Sequence, residues 1–339
     1  MKKIKFRPQY KVHGQLMLLV SALMIFVSCS RQPEGKAQED EWSQSIKVMN
    51  WNLQTFFDAT FDGNEYSEFK NPKSGWNKEK YEERLDRLAD VIKEIDADVV
   101  IMEELEKESQ LQDIANRLSG TFDFAKLYQH GLFAISEGSS IGCAVLSRLP
   151  IGEVTVHSLD IRTNGTAPSM RPIIQFSLYL KEKTLTIFVN HWKSKSSGSE
   201  SSEIWRKKQE ILLARLMSKA RNKGPLLACG DFNKDISEFD ISFNKEKERN
   251  LILHGKNNVE VFSPWILENG SFALPGSYWY KNNWERIDHF FASGKILLSD
   301  FCAENTGKWA DSEGRPLRYQ QWNGKGYSDH LPITCVVRF

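Results

Sequence analysis

Pro225-Leu226-Leu227-Ala228-Cys229-Gly230-Asp231-Phe232-Asn233 is the stretch that decides how the chain is read. An apolar run of strand length climbs to a glycine and then delivers an acid and an amide, two residues apart, where the run stops. Side chains alternate along a strand, so Asp231 and Asn233 leave on one face while Phe232 turns the other way, into the core. A carboxylate and a carboxamide held side by side can orient water, hold a hard cation indirectly or donate to a phosphate oxygen. Gly, Asp and Asn are also ordinary turn formers, so the stretch alone describes a strand-to-turn exit equally well.

The same arrangement recurs in both directions along the chain. Upstream, Ile46 to Leu53 alternates as a first strand and ends in Asn52. Tyr81, Leu85, Leu88, Ile92 and Ile95 then mark one face of a helix. Asp98 to Glu106 is too short for a helix core and reads as a buried strand with carboxylates at its exit; Glu106 and Glu108 suit a solvated turn better than Glu104 does. A second helix is predicted over Lys107 to Leu118. Strands follow at Ile141 to Ser147, Gly152 to Leu159, Pro172 to Leu180 and Thr184 to Asn190, with Pro150 and Asn164-Gly165 as turns. Arg148 and Arg171 border these strands; Arg148 reads as a surface charge, and Arg171 is carried as a phosphate contact. His191 ends one strand and leads into a small-residue loop carrying Lys193 and Lys195, a loop suited to an anion. Glu203 to Ala220 returns to helix and feeds the decisive strand.

Downstream, Phe243 to Asn258 reads as loop. Ser277 to Arg286 is rich in aromatics that could border a groove; such clusters serve packing more often than ligand stacking, and packing is the reading taken. Asp288 stands at the entrance of a strand, and Asp329-His330 stand just before the last one.

Composition sets limits on this. The 339 residues carry a net charge of +1 at pH 7, so any polyanion must be met locally and not by a basic coat. Lys2, Lys3, Lys5, Arg7 and Lys11 precede an apolar stretch, Leu16 to Val27, that is short for a membrane span. Its end, Phe26-Val27-Ser28-Cys29, resembles a bacterial lipoprotein signal, which assigns residues 1–28 to a signal peptide, 29–45 to a polar tether beginning at a lipid-bearing Cys29, and 46–339 to the working domain. The protein is then exported and held on the periplasmic or outer face of a bacterial membrane. Spacings of the remaining cysteines match no zinc pattern; Cys302 and Cys335 could pair in an oxidising compartment, or all could remain buried thiols.

Collected, the polar strand ends are Asn52, Glu104, His191, Asp231, Asn233, Asp288, Asp329 and His330. Carboxylates with few imidazoles and no soft ligand suit Mg²⁺ or Mn²⁺ better than Zn²⁺. The ordered set resembles the endonuclease/exonuclease/phosphatase superfamily, which includes pancreatic deoxyribonuclease, abasic-site endonucleases, sphingomyelinases and inositol-polyphosphate phosphatases. That resemblance, spanning Ile46 to Phe339, implies an α/β four-layer sandwich: two mostly antiparallel β-sheets packed face to face, helices outside, and the site where strand ends converge. It also implies roles. Glu104, Asn52 and Asp329 would hold the metal, with Glu103 as the fallback, because Glu103-Glu104 stands where many relatives have Gln-Glu. Asp231 would activate water, Asn233 would hold a phosphate oxygen, and His330, its tautomer fixed by Asp288, would serve as the acid–base imidazole. His191 would be a second phosphate-facing imidazole, with Arg171, Lys193 and Lys195 binding substrate. Gln54, where a number of relatives carry Glu, is left without a role.

The function that follows is metal-dependent hydrolysis of nucleic-acid phosphodiesters by in-line attack of water, of endonuclease type, by a monomer with no protein partner. Membrane tethering also suits a phospholipid or sphingolipid head-group phosphodiesterase, although no apolar hairpin for a bilayer is evident. A non-catalytic binding protein on the same fold is the third reading.

Overall fold

The computed structural model describes residues 45–70, 75–120, 122–159, 170–195, 199–243 and 249–339. Residues 1–44, on which the expected signal peptide, the expected lipid-bearing Cys29 and most of the expected tether fall, and the expected Asn164-Gly165 turn lie outside the described residues. In chain order, the first half runs β1 (Ser45–Phe56), α1 (Ser67–Lys70), α2 (Lys78–Ile95), β2 (Val99–Leu105), α3 (Ser109–Ser119), β3 (His130–Ala134), β4 (Gly142–Ser147) and β5 (Ile151–His157). The second runs β6 (Ile173–Leu180), β7 (Lys183–His191), α4 (Ser199–Ala220), β8 (Leu226–Asp231), β9 (Asp240–Phe243), β10 (Arg249–Leu253) and β11 (Val259–Val261). It continues through β12 (Tyr278–Tyr280), β13 (Asn283–Glu285), β14 (Asp288–Ser293), β15 (Leu297–Ala303) and β16 (Ile333–Arg338).

Two sheets form the body, one of 6 strands ordered β15-β16-β1-β2-β4-β3 and one of 5 ordered β14-β8-β7-β6-β5. Each is antiparallel except for one central pair: β1 runs parallel to β2, and β7 parallel to β8. Parallel neighbours need a long crossover, and here the helices supply it, α2 between β1 and β2 and α4 between β7 and β8. Both central pairs are apolar on both faces, as strands covered on two sides must be: Val99 to Met102 and Leu226 to Cys229 are fully or almost fully buried. The inner faces meet in one core, and α2 and α3 cover the six-stranded sheet, with Tyr81 against Phe56 and Gln110 Nε2 donating to the Phe56 carbonyl at 2.9 Å.

The parallel pairs decide where the site is. The C-terminal ends of β1 and β2, and of β7 and β8, open at the same end of the sandwich, beside the N-terminal starts of their antiparallel partners β16 and β14. Ligands gather at such carboxyl ends of parallel strands.

Three readings are corrected by the fold. Phe243 to Asn258 is not all loop, because β9 ends at Phe243 and β10 lies within the stretch, where it pairs with β9 on one side and β11 on the other in a small three-stranded sheet. Arg148 is not a surface charge: it is largely buried, bridges Asp96 at 2.5 Å and Asp98 at 3.3 Å, and lies over the Phe122 and Tyr128 rings. Glu106 is buried instead of solvated, accepting the Asp58 N–H at 2.7 Å and pairing with Lys107. Cys143, Cys229, Cys302 and Cys335 are free thiols. Cys302 stands opposite Thr334 in the ladder, so the next residue, Cys335, faces the other side of the sheet.

Candidate active site

Gly230 makes the approach of β8 to β7 possible. Its φ is +138°, and a Cβ there would lie 1.9 Å from the Asn190 carbonyl oxygen, so no other residue fits. With the strands seated, the ladder places Asp231 between Asp288 of β14 and His191 of β7, three polar side chains in one row on one face. On the facing sheet the register of β1 and β2 breaks after Asn52 and Glu103. Glu104 occupies that irregularity with φ +71°, a conformation that costs a non-glycine residue energy and turns its side chain out of the ladder toward the cleft.

The strain at Glu104 is balanced by its neighbours. Thr55 grips its Oε2 through the backbone N–H at 2.5 Å and the hydroxyl at 3.1 Å, and Asn52 Nδ2 donates to Oε1 at 3.3 Å. Gln54 and Thr55 themselves have φ of +51° and +54°. Arg84, reaching across from α2, donates to three consecutive carbonyls there: Leu53 at 2.6 Å, Gln54 at 2.8 Å and Thr55 at 3.0 Å. Gln54 adds a reciprocal pair with the Tyr319 backbone, at 2.9 and 3.0 Å, which gives it a clear structural role.

Asp231 accepts hydrogen bonds from the Asn233 N–H at 2.8 Å, from Asn233 Nδ2 at 3.0 Å and from Asn52 Nδ2 at 3.0 Å. The second Asn233 amide proton goes to the Trp192 carbonyl at 3.1 Å. Both protons are therefore used, and Asn233 here orients Asp231 instead of offering a donor to phosphate. His330 Nδ1 donates to Asp288 Oδ2 at 2.9 Å, and its Nε2 lies 4.0 Å from Asp329 Oδ1. His191 Nε2 sits between the two halves, 3.6 Å from Glu104 Oε1 and 3.7 Å from Asp231 Oδ2.

Electrostatics separates the two imidazoles. Burial opposes charge on His330, yet Asp288, Asp231 and Asp329 outweigh it and raise its pKa well above the usual histidine range. Burial, with Arg171, His330 and Lys193 adding repulsion, pulls His191 well below that range. Burial and the charge of Asp288 push Asp231 up from the usual aspartate range. One imidazole held below its ordinary range, one held above it and a carboxyl of raised pKa thus share one site, a pattern suited to proton transfer.

The cleft over these groups measures about 990 Å³, and Asn52, Glu104, His191, Asp231, Asn233, Asp329 and His330 all line it. Asp288 sits just beneath, behind His330. Lys195 lines it too, held by Glu238 at 2.8 Å and Glu285 at 3.6 Å. Lys193 is half-buried, and Arg171 stands at the side beside Tyr66, near enough to act on His191. Glu103 is fully buried under the site, with burial and then Asp288 and Asp231 raising its pKa well above the usual glutamate range, so Glu104 is the carboxylate that faces the cleft. Sequence reasoning passed over Thr55, Arg84 and Tyr319. It also assigned the Ser277 to Arg286 segment to packing, whereas Tyr278 and Tyr280 line the cleft.

Asp231, Asp288 and His330 bring ligand atoms within 4.8 Å of one another, an acidic cluster of the kind a divalent cation can use. The His330–Asp288 hydrogen bond, however, already commits the ring nitrogen on that side. Glu104 and Asp329 also line the cleft, and their carboxylates are hard donors of the kind a divalent cation takes.

Comparison with known proteins agrees with this architecture. Truncated TDP2 from Caenorhabditis elegans superposes with a TM-score of 0.56 at 12% identity, covering 88% of this chain and 100% of that one. TDP2 from D. rerio, complexed with single-strand DNA product, gives 0.54 at 15% identity over 88% and 100%. The human Nocturnin catalytic domain with bound sulfate gives 0.53 at 18% over 86% and 94%. No curated protein sequence matches significantly. The family model described as Endonuclease/Exonuclease/phosphatase matches residues 49–330, from within β1 to His330 itself, so the span that builds the cleft and the span that defines the family coincide. The chain belongs to the endonuclease/exonuclease/phosphatase family, whose members are hydrolases of phosphate esters and are generally dependent on divalent metal.

Proposed function

We propose that the protein is a divalent-metal-dependent phosphodiesterase that hydrolyses nucleic-acid phosphodiester bonds, of endonuclease type, working as a monomer without a protein partner. It is exported and held at a bacterial membrane by a lipid on Cys29, the tether of residues 29–45 giving the domain at 46–339 its reach. The observation that carries the reading is the juxtaposition of a hydrogen-bonded Asp288–His330 pair with Asp231 and Glu104 in one cleft.

Glu104, with Asn52 and Asp329, would hold Mg²⁺ or Mn²⁺, which when bound neutralises phosphate charge and acidifies water. Asp231, its oxygens fixed by Asn233 and Asn52, takes the proton of the attacking water. His330, charged through Asp288, stabilises the phosphorane-like oxygens and is the proton source for the leaving oxygen. His191, neutral in its buried setting, donates a hydrogen bond to phosphate and is not a proton source. Arg171, Lys193 and Lys195 would meet flanking phosphates; of the three, Lys195 lines the cleft. Support for a nucleic-acid substrate comes also from the D. rerio relative, whose complex holds single-strand DNA product.

The test is hydrolysis of plasmid DNA, RNA and sphingomyelin in Mg²⁺ and in EDTA, alongside His330→Ala. Metal-dependent cutting of nucleic acid that disappears in the variant supports the proposal. Cleavage of sphingomyelin alone, or of none of the three, overturns the substrate assignment. Mass spectrometry of the membrane fraction tests the lipid on Cys29, and an unmodified Cys29 would refute the anchor.

A further inference from the structure

The net charge of +1 hides an uneven distribution. α2 covers the six-stranded sheet from outside, and at its exposed positions Glu79, Glu83, Asp86, Asp90 and Glu94 outnumber Lys78 and Lys93. α4 is the crossover from β7 to β8, strands whose inner faces meet the other sheet, so it lies outside the five-stranded sheet on the opposite side of the molecule. There the signs reverse. Ile204, Lys207, Lys208, Ile211, Arg215 and Lys219 fall three, four or seven residues apart and form one stripe along the solvent side of α4.

The stripe is open to a partner. Ile204 and Ile211 are 55% and 42% exposed. From Glu203 on, the acids of α4 are already engaged: Glu203 pairs with Arg206 and the buried Glu210 with Lys234, both at 2.8 Å. Lys208 lies over the Trp205 ring at 4.9 Å. Among the described residues no acid pairs with Lys207, Arg215 or Lys219, nor with Arg221 and Lys223, which carry the positive charge past the helix end. Cations on both sides of two aliphatic side chains match the boundary of an anionic bilayer, where the isoleucines enter below the head groups and the cations meet lipid phosphates. A nucleic acid offers the phosphates without an apolar layer for the isoleucines.

Position favours the bilayer as well. α4 follows the cleft loop that carries Lys195 and runs away from it, to the end of the sandwich where β7 and β1 begin. The Pro225 carbonyl there accepts the Thr186 N–H at 3.1 Å, Lys183 Nζ donates to the Phe339 carbonyl at 2.9 Å, and Arg338 pairs with Ser45. Residues 1–44 join at this end, so a lipid on Cys29 would hold it toward the membrane. We propose that the outer stripe of α4 is a docking surface for anionic phospholipid, which lays α4 along the bilayer and turns the acidic α2 side to solvent. The cleft, at the other end of β7 and β8, then opens along the bilayer and not into it. This inference uses the membrane location proposed above and none of the catalytic roles.

The described core runs from Ile46 to Phe339, so the chain from Cys29 on, made without lipid, keeps the fold. The experiment is its cosedimentation with vesicles of equal parts phosphatidylglycerol and phosphatidylcholine, and with vesicles of phosphatidylcholine alone. Wild type prefers the anionic vesicles and loses that preference in high salt. Each cation at such a surface strengthens attachment roughly fivefold, so Arg215→Gln with Lys219→Gln weakens binding roughly 30-fold. Lys78→Gln with Lys93→Gln makes the same change of charge on α2 and leaves binding as in wild type. All four positions are exposed, and melting temperatures stay with wild type. An α4 variant that binds like wild type, an equal loss from the α2 variant, or a loss confined to duplex DNA in EDTA overturns the inference, the last in favour of nucleic acid. The predicted vesicle binding together with an unmodified Cys29 in cells supports the surface and refutes the anchor, whereas a lipid-bearing Cys29 with an α4 variant that binds like wild type refutes the surface alone.

Discussion

Replacing Arg84 by methionine removes a charge that touches no carboxylate and no substrate group, and the structure gives the consequence a size. The guanidinium is 2% exposed, donates to the carbonyls of Leu53, Gln54 and Thr55, and is sandwiched by Tyr319 at 3.7 Å and Phe56 at 4.5 Å. Hydrogen bonds from a charged group contribute about 1.5–3 kcal/mol each, so the three together contribute about 4–9 kcal/mol. Against this stands the burial that pulls the Arg84 pKa down to about 9; removing the charge returns about 5 kcal/mol of that penalty. The net loss of stability is on the order of 2 kcal/mol, of which urea midpoints give a direct measure. The functional loss is separate. Without Arg84 the left-handed pair Gln54-Thr55 loses its anchor, and Thr55 no longer holds Glu104 Oε2 in place. Support of this kind behind a metal carboxylate is worth about 10- to 100-fold in metal affinity or activity. Hydrolysis should therefore need about 10- to 100-fold more Mg²⁺ in the variant, measured well below its melting temperature, with Arg84→Lys in between. A variant that is less stable but shows an unchanged Mg²⁺ dependence would refute the argument that Arg84 positions Glu104.

Three further outcomes follow from the same geometry. Glu104→Gln should lower kcat/KM by about 100-fold, while Glu103→Gln, which keeps the shape of a carboxyl already driven toward neutrality by burial, leaves activity within a few-fold; the reverse order in kinetic assays would move the metal ligand to Glu103. Gly230→Ala should cost at least about 3 kcal/mol in thermal or urea unfolding, because its Cβ meets the Asn190 carbonyl at 1.9 Å and its φ is +138°; a stable, active variant would contradict the assigned strand register. His289 is buried, its Nε2 donates to the Lys234 carbonyl at 2.8 Å, and burial lowers its pKa to about 4. The unfolded chain, with an ordinary value near 6.5, takes up the proton first as pH falls, so the His289 contribution is complete above about pH 6.5 and is lost toward pH 4, by as much as about 3 kcal/mol. Urea midpoints measured from pH 7 to pH 5 should fall along that slope, and His289→Phe should flatten part of it.

Why the polar residues that meet in the cleft were legible and their supports were not follows from how each is encoded. Asn52, Glu104, His191 and Asp231 end apolar runs long enough to be strands, and a polar residue at such an end has few local structural reasons to be there. Arg84 is encoded differently. It falls on the apolar face of α2, one turn after Tyr81 and one before Leu88, where an arginine reads as an interruption of the pattern unless its long side chain is known to reach the end of β1. The small sheet of β9 to β11 was hidden because its strands are short and β9 is largely exposed, so neither length nor alternation marks them and pairing across the sheet is what makes them strands. Tyr278 and Tyr280 carried a usable signal: alternation with Trp279 separates a cleft face from a packing face, and the segment was taken as one block instead of two sides.

The distribution of these residues over the two sheets says why the site needs the whole domain. Neither half holds a complete set. The six-stranded sheet brings Asn52 and Glu104, and with them Asp329 and His330 from the approach to β16; the five-stranded sheet brings His191, Asp231 and Asp288. The hydrogen bonds that link them cross between the sheets: Asn52 to Asp231 at 3.0 Å and His330 to Asp288 at 2.9 Å. His330 and the Asp288 it pairs with therefore lie on opposite layers, as do Asp231 and Glu104. Any change that slides one sheet against the other by one residue turns alternate side chains away from the cleft, and the two cross-sheet bonds are lost together. This is why the apolar inner faces are so fully buried at Val99 to Met102 and Leu226 to Cys229: the packing that excludes water from the core is the same packing that fixes the distance between the two halves of the chemistry.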